Sequence, residues 1–204
     1  MYDELIDLSY MLKLYFKVFI DDIFEKLRDL PETNSYIPLS KVSHIITLNY
    51  THTFERMFPS NKEKIYHIHG DINNKIILGI NSNKDDKVET INTDFIVFKK
   101  YFQRVFYKTD LDYLSFTKSN DIYKAISNDT LHVFGHSLNI SDKDIIKELF
   151  SMVKKIKIYS HDERAMGNHI SNLINIYGKE EFDSLRLNKN LTFTLLNTQN
   201  GVKI

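Results

Sequence analysis

The strongest constraint on this chain is an alternation of two hydrophobic patterns. Short apolar runs rich in β-branched residues are separated by longer stretches whose apolar side chains recur at three- and four-residue steps. The first pattern fits buried strands and the second fits amphipathic helices. Residues 42–48, 64–68, 75–78, 131–134, 157–160 and 191–196 read as strands. Residues 2–30 read as one helix, with Leu5, Leu8, Leu12, Tyr15, Phe16, Phe19 and Ile23 on one face, stopped by Pro31. Ile80 to Asn92 is polar and reads as a loop. Residues 93–127 form a helical insertion carrying Phe95, Phe98, Tyr101, Phe102, Val105 and Phe106. Ser141 opens a helix running to Phe150, where Ser141 and Asp144 match a capping box. A further helix runs from about Glu163 to Tyr177, with Ile170, Leu173, Ile174 and Tyr177 on its apolar face and Gly178 as its stop. The expected fold is α/β, a mainly parallel sheet with helices on both faces. An N-terminal helical segment (1–39) precedes an α/β domain (40–204) with the insertion at about 93–127.

A chain of 204 residues with 42% hydrophobic and 26% charged residues can bury such a sheet without covalent staples. It has no cysteine, which excludes disulfides, thiolate nucleophiles and thiolate metal sites. Basic and acidic residues balance at 27 each, which argues against a dedicated nucleic-acid partner. Lys99, Lys100, Arg104 and Lys108 interleave with aromatics, and the reading favoured for them is the solvated face of a helix whose aromatics face the core. Met1 to Asp7 is acidic and polar rather than a signal peptide, and no apolar run is long enough to span a bilayer. The expected location is the cytoplasm.

Three polar clusters stand just beyond expected strands. They are Thr47-Leu48-Asn49-Tyr50-Thr51 with Glu55 nearby, His67-Ile68-His69-Gly70-Asp71, and Gly135-His136-Ser137-Leu138 running into Ser141-Asp142. Ligands of parallel sheets bind at the carboxyl ends of the strands, so the pattern puts all three clusters at one rim. Asn49 offers an acceptor and two donors suited to ribose hydroxyls or an attacking water. His69 suits a general base near neutral pH. Gly70 allows close backbone approach, and Gly135 and Ser137 precede a helix N-terminus that favours phosphate. Each element alone has a plainer explanation, as a turn residue, a structural histidine or a cap.

The order Thr47-Leu48-Asn49-Tyr50-Thr51, then Tyr66-His67-Ile68-His69-Gly70-Asp71, then Phe134-Gly135-His136-Ser137-Leu138, then Asp142 resembles the AbiH family of phage abortive-infection proteins over roughly residues 40–180. A more distant similarity is to sirtuin-like, Rossmann-like domains that bind NAD. That similarity implies that Asn49 and His69 are catalytic in cleaving the nicotinamide–ribose bond. It implies that Thr47, Tyr50, Gly70, Asp71, Gly135, His136, Ser137 and Asp142 hold the nucleotide. Thr51 stands where the sirtuin-like pattern has Asp, and the absence of cysteine removes the zinc module of deacylating sirtuins. The Gly-rich strand and turn with which AbiH-like proteins begin is missing, so the chain reads as the C-terminal part of such a protein.

The implied function is anti-phage defence through binding, and hydrolysis, of NAD or a related nucleotide. Two other readings remain open at this point. One is a metal-dependent hydrolase, because His67 and His69 alternate along an expected strand and share a face, with His44, His136 or Asp71 to complete the set. The other is a non-catalytic module acting by partner binding. The partners expected are a nucleotide, a phage-derived trigger and a second copy docking on helix 2–30. Neither membrane nor nucleic acid is among them.

Overall fold

The computed structural model describes residues 2–23, 42–57, 65–79, 93–109 and 129–196. The chain divides into two compact units, Met1–Ile80 with Lys84–Leu114 and Lys203–Ile204, and Asn81–Asn83 with Ser115–Val202. Among the described residues the fold is mixed α/β with open parallel sheets, a two-stranded one and a three-stranded one. Among the described residues, no helix is long and apolar enough to cross a membrane.

The first unit opens with α1 (Tyr2–Phe16), which continues into a π-helical turn, Lys17–Asp21. Its burial differs from the expected stripe. Leu5 is buried and Leu12 and Phe16 are half-buried, whereas Leu8, Tyr15, Phe19 and Ile23 are exposed. The reason is anchoring by polar and aromatic contacts. Lys13 Nζ donates to the Asn74 carbonyl (2.6 Å), and Phe16 packs on Tyr50 with ring centroids 5.6 Å apart. The expected part of this helix beyond residue 23 lies outside the described residues.

Strands β1 (Ile45–Thr47) and β2 (Ile65–His67) pair in parallel, Thr47 opposite His67. Helix α2 (Thr53–Met57) lies between them in sequence. Parallel pairing requires such a crossover, and it brings the carboxyl ends of both strands to one edge. Beneath that edge Ile68, Ile72, Ile76 and Ile77 are buried, each contributing roughly 1.5–3 kcal/mol by leaving water.

Two expectations for this unit fail for local reasons. Residues 75–78 are apolar but do not form a strand. The Ile77 N–H donates to the His69 carbonyl (2.8 Å), and at Leu78 the partner is a side chain. Gln103 Oε1 accepts from the Leu78 N–H (2.8 Å), and Gln103 Nε2 donates to the carbonyls of Leu78 and Val97. This amide satisfies the backbone groups that a neighbouring strand would otherwise meet. Gln103 sits on α3 (Lys100–Tyr107), which follows a 3₁₀ turn, Thr93–Phe98. Gln103 and Arg104 are buried, while Tyr101, Val105 and Phe106 are exposed. The expected faces hold for the half-buried Phe98 and Phe102 and the exposed Lys108, and fail for Tyr101, Arg104, Val105 and Phe106. The remainder of the expected insertion, 110–127, lies outside the described residues, as does nearly all of the expected loop at 80–92.

The second unit contains a three-stranded parallel sheet ordered β3 (Thr130–Val133), β4 (Lys155–Ser160), β5 (Leu191–Leu195). Helix α4 (Lys143–Met152) links β3 to β4. Helices α5 (Glu163–Tyr177) and α6 (Lys179–Asn188) link β4 to β5. The residues of β4 alternate strictly: Ile156, Ile158 and Ser160 are buried, while Lys155 and Lys157 are exposed. One face thus carries the core, with Ile145, Ile146 and Phe150 from α4, Leu173 and Ile176 from α5 and Phe182 from α6. The other face carries the exposed Lys155 and Lys157 and the half-buried Tyr159, which stacks on Phe134 and His132.

Helix ends here follow local chemistry. The Asp162 side chain accepts from the Ala165 N–H (2.6 Å), and Gly178 at φ +77° closes α5. The expected capping box at Ser141 is not formed. Asn139 caps instead, accepting from the Ser141 N–H (3.0 Å) at the start of a 3₁₀ turn, Ile140–Asp142, and Asp142 makes no side-chain cap bond to α4.

Two expected outcomes follow. Gly70 stands at φ +72°, and a Cβ built there would lie 1.7 Å from the Lys75 carbonyl oxygen. Gly70→Ala therefore destabilises the first unit by about 2 kcal/mol or more in thermal unfolding; an unchanged Tm would contradict this packing. In the second unit His169 is buried and its Nδ1 lies 2.9 Å from Ser160 Oγ. Burial, aided by the nearby His136 and His161, holds its pKa below the ordinary 6.5 despite an opposing hydrogen bond to the His136 backbone. The unfolded chain then binds the proton more readily. Stability is highest above about pH 6.5 and falls as the pH drops through that value. Thermal unfolding between pH 7 and 5 registers the fall, and His169→Gln flattens it; a slope unchanged in His169→Gln would contradict the assignment.

Candidate functional site

The candidate site lies just past the carboxyl ends of β1 and β2. At the end of β1 the Thr47 hydroxyl accepts from the Asn49 N–H (3.1 Å), which turns the chain sharply and leaves Asn49 exposed. Tyr50 points the other way. Its hydroxyl donates to the Ile77 carbonyl (2.7 Å), and its own carbonyl accepts from the Ile72 N–H (2.9 Å). Helix α2 then starts, presenting His52 at its entrance and Glu55 one turn in. This three-residue spacing sets both side chains on one side of the helix.

Strand β2 delivers His67 to the same place. His67 Nδ1 donates to the Asn49 carbonyl (2.9 Å), because a carbonyl can only accept. Its Nε2 lies 2.5 Å from Glu55 Oε1. The His52 and His67 rings are 5.3 Å apart. One ligand-capable atom from each of His52, Glu55 and His67 falls within 4.8 Å of the others. The Glu55 side chain is only 10% exposed, and its Oε2 is buried with no hydrogen-bond partner among the described residues.

A ring of acidic groups surrounds this core. His52 stands between two carboxylates, Nδ1 3.9 Å from Asp21 Oδ2 and Nε2 3.7 Å from Asp71 Oδ1. The Asp21 side chain, 2% exposed, comes from the π-helical turn of the first helix, a deviation often found at functional sites. Arg56 compensates it, donating to the Asp21 carbonyl (2.7 Å) and to Oδ2 (3.2 Å). Asp71 is occupied with its own turn. Oδ1 accepts from the N–H groups of Asn73 (2.8 Å) and Asn74 (3.1 Å), and Oδ2 from Asn74 Nδ2 (2.8 Å). Burial works to raise the Asp71 pKa. The hydrogen bonds from Asn74 and Asn73, with His52 and His67 alongside, outweigh it and hold the carboxyl below its ordinary 3.8.

Strand β2 ends at His67, and residues 68–69 form a turn. The expectation that His67 and His69 share one strand face is therefore corrected. His69 is 3% exposed, and His67 is grouped with His52 and Glu55. His44, His136 and Asp71 do not belong to that group of three. Gly70 accommodates close approach of the Lys75 backbone.

The third expected cluster lies in the second unit, at the carboxyl end of β3. Gly135 takes φ +62° with open space where a Cβ would be, and Ser137 is exposed. His136 Nδ1 accepts from the Leu138 N–H (3.0 Å), so its Nε2 carries the proton and faces Asp142 Oδ2 at 3.5 Å. The Ser137 carbonyl accepts from Asn172 Nδ2 (2.8 Å). Phe134 stacks on Tyr159 with centroids 4.0 Å apart and planes 8° apart.

Sequence reasoning singled out Asn49, Glu55 and His67 but missed Asp21, His52 and Arg56. The His52-x-x-Glu55 spacing was a readable signal. Asp21 carried none, because it looks like one more solvated helix residue.

A family model described as bacteriophage abortive infection AbiH matches residues 2–161. No curated protein and no solved structure matches the chain. The match spans most of the 204 residues and includes every residue of the site just described. The chain belongs to the bacteriophage abortive infection AbiH family.

Proposed function

We propose that this AbiH-family protein serves phage defence by binding NAD or a related nucleotide and hydrolysing it, so that an infected cell stops before phage spread. The observation that carries this reading is the exposed Asn49 at the end of a parallel strand pair, backed by the His67–Glu55 couple. Parallel sheets bind their ligands at that edge. In this reading the Asn49 amide orients a ribose hydroxyl or the attacking water. The bond between the nicotinamide nitrogen and the ribose carbon breaks, and its electron pair leaves with nicotinamide. Water adds to the ribose carbon and releases a proton.

The sirtuin-like pattern assigns water activation to His69. The burial of His69 favours the His67–Glu55 pair for that part. Thr47, Tyr50, Gly70 and Asp71 then act by shaping the Asn49 and His67 backbone. In the second unit, taken by itself, Gly135 has an open left-handed backbone in a loop that the His136–Asp142 contact helps to hold.

A second reading, a non-catalytic module acting by partner binding, draws on the exposed Leu8, Met11 and Tyr15 of α1 and Phe19 of the π-helical turn.

Purified protein incubated with NAD distinguishes the two. The nucleotide reading expects nicotinamide release, with Asn49→Ala slower by about a hundredfold, the scale on which positioning groups act. No release by a folded parent protein, or release unaffected by Asn49→Ala, would overturn it and favour the module.

A further inference from the structure

We propose that His52, Glu55 and His67 form a binding site for a divalent transition-metal ion of the zinc class. The inference concerns the site used in the nucleotide reading and adds how water is activated there, but ion binding stands without that reading.

Three independent observations carry it. The first is the donor set. Two imidazoles and one carboxylate offer ligand atoms within 4.8 Å of one another, and two histidines with a glutamate is a set that holds zinc while leaving a position open. Tetrahedral zinc with bonds of about 2.0–2.2 Å spaces its ligands about 3.4 Å apart, so the three groups need only side-chain adjustments of roughly an ångström.

The second is the geometry of the His67–Glu55 contact. His67 Nδ1–H is committed to the Asn49 carbonyl, which leaves Nε2 as the ring atom aimed at Glu55 Oε1. A ligand-capable atom of His52 lies within reach of both, so one cation can take all three groups. Glu55 Oε2, buried and without a partner among the described residues, supplies the further lone pairs that a bound cation would use.

The third is the surrounding shell. Metal-bound histidines characteristically donate their other N–H to a carbonyl or carboxylate, which fixes the ring. His67 does so to Asn49, and His52 has Asp21 on one side and Asp71 on the other. The three carboxylates of Glu55, Asp21 and Asp71, set against the one guanidinium of Arg56, give the pocket an acidic excess that a dication neutralises. An ion with three protein ligands retains a position for water, which it polarises. His69 takes no part.

The test is ion binding to the full chain. Protein is equilibrated with zinc against a weak competing chelator, and bound metal is counted per chain. Cobalt(II) in place of zinc reports coordination through its visible bands. The expected result is about one ion per chain and the spectrum of a four-coordinate cobalt site. His52→Ala, Glu55→Gln and His67→Ala should weaken binding by about a hundredfold or more, since loss of even an outer partner of a ligand costs roughly 10–100-fold. His161→Ala, at an exposed histidine of the other unit, should bind as the parent does. Glu55→Gln is nearly isosteric, and circular dichroism verifies that it folds. No uptake by the parent, or equal uptake by Glu55→Gln and His67→Ala, would overturn the proposal. Nicotinamide release followed on the same samples separates the two ideas. Ion uptake without release sustains the metal site and removes the nucleotide reading; release without any ion uptake does the reverse.

Discussion

The first unit is organised around carboxylates that have been taken out of water. Asp21 and Glu55 are both close to fully buried, and a buried carboxylate is costly unless cations or donors meet it. Arg56 meets Asp21, and His67 meets Glu55, with His52 between Asp21 and Asp71. These groups come from the π-helical turn, from α2, from β2 and from the loop after it. A structure that only needed to be stable would fill this space with apolar side chains. A concentration of ionisable groups at the carboxyl edge of a parallel pair is the pattern that functional sites share, and the proposed function rests on it.

The second unit is built on a different principle. Two strand–helix–strand crossovers cover one face of its sheet with aliphatic and aromatic side chains from α4, α5 and α6, and a buried Ser160–His169 pair is the polar contact within that core. The loop beyond β3 carries the open Gly135 and the buried Asp142, which faces His136. Gly135 and Leu138 take left-handed backbone there, held by the His136–Asp142 contact and the cap at Asn139.

What the sequence disclosed depended on how local the governing interaction was. The succession from residue 130 to 196 was largely legible because β-branched runs, Asp162 and Gly178 each act within a few positions. Helix α6 was missed because Lys179-Glu180-Glu181 opens a polar stretch whose one buried side chain is Phe182. Residues 75–78 looked like a strand, and the distant Gln103 amide meets the Leu78 backbone groups that a strand partner would take. The same contact goes with the burial of Gln103 on α3. At the site, Asn49, Glu55 and His67 stood out as polar residues at strand ends. The choice between His67 and His69 turned on where β2 stops, and a period-two pattern cannot say that. Asp21 was invisible because its burial comes from a π-helical turn and from Arg56, thirty-five positions away.

The central claim, that the His52–Glu55–His67 group is the working part of this abortive-infection protein, is tested most directly by phage plating. Cells producing the parent or Glu55→Gln at matched protein levels are challenged with a panel of phages. The account predicts that the parent lowers plating of at least one phage and that Glu55→Gln restores plating to that of cells lacking the protein. Full protection by a stably folded Glu55→Gln would contradict it.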